Sequence, residues 1–166
     1  DPARVVNDDL SATFGGAETI VAGVFTDGGD VTGDQVAAMG RVHDGLVAAE
    51  GVDAELLVSV RTAIGPSADA AAYDAIADDP TALLDQIESA PVLAGNVVSA
   101  DRAALAVFIP LDSKSDAQPT ADEVDRLLDA EPALADLERH VAGLPLAQEA
   151  FGDQMFIQMA VFAPLA

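Results

Sequence analysis

The two histidines, the adjacent carboxylates and the glycine clusters are the residues whose types and spacing could do chemistry. His43 and His140 each lack a second His or Cys at ligand spacing, so neither opens a zinc site. His43 continues an apolar stripe that begins at Val36, which predicts a hydrogen-bonded helix residue at the edge of the core. His140 follows Glu138-Arg139 and is expected near a helix C-terminus, where an imidazolium favours the dipole. Asp27-Gly28-Gly29-Asp30, with Asp34 beyond it, comes nearest to a calcium loop. It misses the required spacing and the closing Glu, and reads as a hydrated turn leading into a helix. Gly15-Gly16 and Gly28-Gly29 lack the form of a phosphate cradle, and no G-x-S-x-G elbow exists. Paired acids such as Asp8-Asp9 and Asp78-Asp79 are expected by chance at this composition. These residues imply no catalytic centre, no metal and no cofactor, and the chain reads as a non-enzyme.

Charge says more. Asp and Glu total 29 against 7 Lys and Arg, a formal net charge of −22, and Lys114 is the only lysine. Such a field repels phosphate backbones and offers no basic patch for counterion release, which excludes nucleic acid as a partner. Two readings of the acidity stay open: carboxylates as hydration, as in proteins from high-salt habitats, and carboxylates as cation handlers. At 166 residues and 51% apolar the chain suffices for one compact domain, with a core of aliphatic rather than aromatic side chains. There are no cysteines, so no disulfide framework is available.

The elements that must position these residues follow a mixed order. Glu18 to Thr26 reads as a strand ended by Asp27-Gly28-Gly29. Thr32-x-x-Gln35 is a capping box, and Val36, Met39, Val42 and Leu46 continue at helical spacing, with Gly51 placed as the C-terminal cap. Asp53 to Thr62 reads as a second strand. Gly65-Pro66 breaks the chain, Ser67 to Ala77 is a helical candidate, and Asp79-Pro80 opens a short helix carrying Leu83, Leu84 and Ile87. Gly95 to Ala100 and Ala103 to Leu111 read as a hairpin, with Pro110 at the end of its second strand. Thr120-x-x-Glu123 is a second capping box, for a helix restarted at Pro132 and running through Leu137; Val141 to Leu146 is a final strand.

Set aside the segment from about 65 to 94 and the order is strand, helix, strand, strand, helix, strand. That predicts an α+β fold of the ferredoxin-like, split βαβ kind, with an antiparallel sheet, helices on one face and a helical insertion. Residues 1–147 form this domain, and 148–166 form a terminal helix. Phe151, Met155, Phe156, Met159 and Phe162 give that helix an apolar ridge, which either packs on its own domain or leaves for a membrane. The chain opens on Asp1-Pro2 and closes within the apolar run Met155 to Ala166, so both ends are expected to be cut.

Several of these segments resemble a known family as an ordered set. Phe14-Gly15-Gly16-Ala17-Glu18-Thr19-Ile20-Val21 resembles the opening of the first extracytoplasmic loop of RND-superfamily exporters of the hydrophobe/amphiphile, MmpL-like type. The helix from Gln35 to Glu50, with Gly51-Val52 and then Leu57-Val58-Ser59-Val60, is similar to the segment that follows there. Asn96 to Val107 resembles the family's hairpin, with Arg102 in place of the usual turn glycine, and Ala142-Gly143-Leu144-Pro145 resembles the strand preceding its second membrane helix.

The resemblance implies a substrate-handling domain on the extracytoplasmic face of the cell membrane. Its partners would be the remaining transmembrane and porter domains of an ion-driven exporter of lipids or other amphiphiles, with the membrane reached through flanking helices and room left for a homo-oligomer. The family's proton-relay carboxylates lie in membrane helices, so no catalytic residue carries over. Phe108, Phe151 and Met155 are the candidates for surfaces near the substrate path. The rival reading is a soluble ferredoxin-like binding module with no transport role.

Overall fold

The computed structural model describes residues 18–65, 68–148 and 150–151. β1 (Glu18–Phe25), β2 (Ala104–Leu111) and β3 (Glu138–Gly143) form a three-stranded antiparallel sheet in the order β2-β1-β3. The α+β class and the antiparallel sheet are as expected from the sequence; the fourth strand is not. α1 (Gly33–Val47) follows β1, and α2 (Val60–Ile64), α3 (Ala70–Asp78) and α4 (Thr81–Ser89) precede β2. α5 (Ala117–Ala130) precedes β3.

Strand alternation sorts the side chains. Ile20, Ala22 and Val24 of β1 and Leu105, Val107 and Ile109 of β2 point to one face, and each is at most 2% exposed. Val36, Met39, Val42 and Leu46 of α1 and Val124 and Leu128 of α5 close over them in one cluster. Each fully buried aliphatic side chain here is worth about 1.5–3 kcal/mol relative to exposure. α1 starts as its capping box predicts: Thr32 Oγ1 accepts from the Gln35 N–H, and Gln35 Oε1 accepts from the Thr32 N–H. Arg41 on α1 forms a bidentate pair with Glu131, just past the end of α5, at 2.8–3.1 Å. Gly51 does not cap α1, whose C-cap is Ala48. It adopts φ +80° in the following turn, where a Cβ would lie 2.6 Å from that of Asp116.

The expected strand from Asp53 to Thr62 is reduced to isolated bridges, Val52 with Leu111 and Val58 with Phe108, and then becomes α2. Local side-chain bonds win over the ladder. Asp53 Oδ1 accepts from the Glu55 N–H, and Ser59 caps α2 reciprocally with Thr62. The first arm of the expected hairpin fares the same way: only Val98 bridges Leu105, and the rest is turn. Together these pieces still cover the outer edge of β2. Ala106 N–H donates to Val97, Phe108 and Val58 exchange both bonds, and Asp53 N–H donates to the Pro110 carbonyl. Pro110 is the next-to-last residue of β2, near the strand end as expected. Even-numbered residues of β2 turn their backbone groups to this edge, so its missing N–H disturbs no bond to β1.

Arg102 occupies the hairpin turn with φ 56°, a left-handed conformation that costs a non-glycine residue roughly 1–2 kcal/mol. Its guanidinium offsets part of that by reaching Glu88 at 2.7 Å and Asp85 at 3.4 Å on α4. α5 begins three residues before the expected Thr120 cap. Ser113 caps the 3-10 turn Lys114–Asp116, which runs directly into the helix, and Pro119 is tolerated because it falls in the first turn. Thr120 is instead buried within α5, and Glu123 pairs with Arg126. No helix restarts at Pro132: residues 132–136 form turns around the fully buried Leu134. The last strand is Glu138–Gly143 rather than 141–146, and residues 144–148 are helical.

Candidate functional site

Two constellations bring polar chemistry together. The first joins α1 to α2 and α3. His43, 8% exposed, meets the buried Ser59 through Nδ1···Oγ at 2.9 Å. Ser59 Oγ also accepts the Arg61 N–H, so the hydroxyl ties His43 to the start of α2. Arg61 Nε donates to Asp44 at 2.8 Å, and the Tyr73 hydroxyl donates to the other oxygen of the same carboxylate. Burial, then the Asp44 bond, holds the Tyr73 phenol well above its usual range, so it remains a donor. Ser59 is 0% exposed, which closes it to any substrate; the cluster is a structural joint.

Burial pushes the His43 imidazole below its ordinary value of 6.5, with Asp44 opposing and Arg61 adding to the shift. Between the ordinary and the lowered value the unfolded chain binds the proton and the folded chain does not. The contribution is therefore fully present above pH 6.5 and is lost as pH falls through the lowered folded value. Urea midpoints at pH 7.5 and 5.5 should differ more for the native chain than for His43→Gln; an equal difference would remove His43 as the cause.

The second constellation is a cleft of about 490 Å³ between α5 and β3, flanked by the helical residues beyond β3. Ala121, Val141, Leu146 and Ala150 supply its apolar lining, and Gln118, Asp125 and Arg139 its polar lining. β3 makes this possible by alternation: Arg139 and Val141 share the face toward α5, while Glu138 and His140 take the other. Arg139 reaches Asp129 at 2.7 Å and Asp125 at 3.4 Å, so both carboxylates of one α5 face hold it. His140 is thus not at a helix end. It is an exposed strand residue whose Nε2 lies 2.9 Å from Glu138, edge-on to the Phe25 ring at 5.7 Å.

Two of the three candidate path residues fall among the described ones. Phe108 lies on the sheet face opposite α1 and α5, partly buried, in line with Val21 and Ala142 across the strands. Phe151 is 65% exposed and adjoins Ala150 of the cleft, and Met155 lies outside the described residues. The cleft itself escaped sequence reasoning. Asp125 and Asp129 at i and i+4 mark one helix face, but nothing local announces that Arg139 crosses to it.

Asp27 to Asp30 form a tight turn in which Thr26 Oγ1 donates to the Gly29 carbonyl. Among the described residues no group of three His, Asp or Glu side chains is close enough to hold a metal ion. Nor, among them, is any helix long and apolar enough to cross a membrane. No protein-family model matches the chain, and no curated protein matches it.

Proposed function

We propose that this chain is the extracytoplasmic substrate-handling domain of an ion-driven RND-type exporter of lipids or other amphiphiles. The observation that carries the reading is the strand order. β1 lies between β3 and β2, and the 52–58 segment bridges the outer edge of β2, as a split βαβ unit requires of its first, last, third and second strand segments. Those pieces fall on the same stretches that carry the family resemblance. The unit would rock against a neighbouring unit of the transporter while ion movement through membrane helices supplies the work.

The test uses cells expressing the complete gene, with the product traced to membrane or soluble fractions and probed by external protease. The expected result is a membrane-bound protein cut from outside, with efflux of a neutral lipophilic dye that stops when the ion gradient is collapsed. Phe151→Ala with Met155→Ala should slow that efflux severalfold, while the melting temperature of the 166-residue domain stays unchanged, since Phe151 is exposed. A product confined to the soluble fraction would sink the exporter reading and leave the soluble binding module as the account.

A further inference from the structure

We infer that α1, α2 and α3 form an acid-sensitive latch, in which a proton on the His43 imidazole lifts α2 and α3 from α1 while the sheet and α5 stay folded. α3 is poised for this: it packs chiefly on α1, and Tyr73 is its one buried residue. Its seat is a stripe of α1 made by Gly33, Ala37, Gly40 and Asp44, at steps of four, three and four residues. A Cβ at Gly33 would meet the Ala77 carbonyl and one at Gly40 the Tyr73 ring, so α3 lies close against small residues. The Tyr73 hydroxyl then closes the contact on Asp44. α2 adds only Val60 to the core. Elements with so little buried surface open at a lower free energy than the whole domain.

His43 is where a proton acts on that latch. It is buried, and its Nδ1 lies 2.9 Å from the Oγ of Ser59, the residue that caps α2. The charged groups that act on it are Asp44, its neighbour on α1, and Arg61 from α2; Tyr73 of α3 reaches the same carboxylate. Arg61, its side chain 12% exposed, takes one Asp44 oxygen at 2.8 Å, and Tyr73 takes the other. Arg41 stands over the far side of the latch, 5.8 Å from the centre of the Tyr73 ring. An imidazolium at His43 therefore adds a positive charge beside a mostly buried guanidinium, with both Asp44 oxygens already engaged. Opening α2 and α3 hydrates His43 and Arg61 together and relieves that charge. Burial, opposed by Asp44 and aided by Arg61, keeps the imidazole neutral below its ordinary 6.5. The latch is thus shut above that pH and loosens as pH falls from there to the lowered value.

Amide exchange of the 166-residue chain, followed residue by residue from pH 7.5 to 5 and corrected for the intrinsic rate, tests the latch. The amides of α2 and α3 are expected to be less protected than those of β1. Below pH 6.5 their opening constant should rise about tenfold per pH unit, the slope for uptake of one proton, until the lowered value is reached. In His43→Gln, whose amide can still meet Ser59, the slope should vanish. Tyr73→Phe removes only the hydroxyl and should raise α3 opening severalfold at every pH, with the slope kept. Four results overturn the inference: an opening constant in α2 and α3 that ignores pH, protection there equal to that of β1, a slope that persists in His43→Gln, or α3 protection unchanged in Tyr73→Phe. None of them touches the exporter reading, on which the latch does not depend.

Discussion

Gly33→Ala is expected to destabilise the chain by about 1–3 kcal/mol, the usual cost of forcing extra volume into a packed contact. Gly33 is the first residue of α1, and a Cβ there would lie 2.3 Å from the Ala77 carbonyl oxygen and 2.5 Å from that of Ile76. Both obstacles are backbone at the C-terminal turn of α3, so no side-chain rotation relieves them. Helix propensity works the other way, since alanine is favoured over glycine by up to about 1 kcal/mol in a helix interior, but less at a first position. The clash wins, and it acts on how α3 docks. Gly40 lies further along α1, and its Cβ would meet the Tyr73 ring at 2.5 Å, so the same interface is built on close approach at two points. Urea unfolding should show the loss, and amide exchange should quicken first in α3. Gly29→Ala is the control: nothing lies within 4 Å of its Cβ, and its change should stay within about 0.5 kcal/mol. Equal stability of the Gly33 variant and the native chain would mean that α3 is not seated as described.

Leu134→Ala should cost about 2–5 kcal/mol, the range for emptying a buried leucine site. That is a large share of the roughly 5–15 kcal/mol by which domains are stable. Leu134 belongs to no helix or strand, yet it is 0% exposed. Its N–H donates to Glu131 and its carbonyl accepts from Leu137, so the side chain anchors the connection from α5 to β3. Leu144→Ala, at a residue 70% exposed, should leave stability within about 0.5 kcal/mol. A Leu134 variant no less stable than this control would show that the turn is not anchored in the core.

What the sequence disclosed follows from how local each signal is. β1 announces itself by alternation, and α1 by a capping box and one apolar stripe; both interactions close within a few residues, and both elements stand where expected. The stretch from Asp53 to Thr62 has equally good alternation, but Asp53, Ser59 and Thr62 each offer the backbone a nearer partner than a strand could. Thr120-x-x-Glu123 has the letters of a capping box, yet the Ser113 cap and the turn before α5 had already started the helix. At Leu134 a helical spacing persists through a segment that is all turn, because burial was legible there and backbone conformation was not. For His43 the expected place at the core edge is borne out, while its partner Ser59 was hidden in a misread strand. The cleft depends on Arg139 lying within β3, which begins three residues before the expected strand.

The covered edge of β2 has a further consequence for how copies of this chain could associate. Its outward backbone groups are occupied by two loop segments, 51–58 and 97–99. β3 has β1 on one side and, among the described residues, no strand on the other. A sheet with both margins open is a template for end-to-end stacking into fibrils; a sheet with one open margin is not. A second copy that paired β3 to β3 across a twofold axis would meet, among the described residues, no further open margin of this sheet. The loops beside β2 thus deny that margin to an incoming strand.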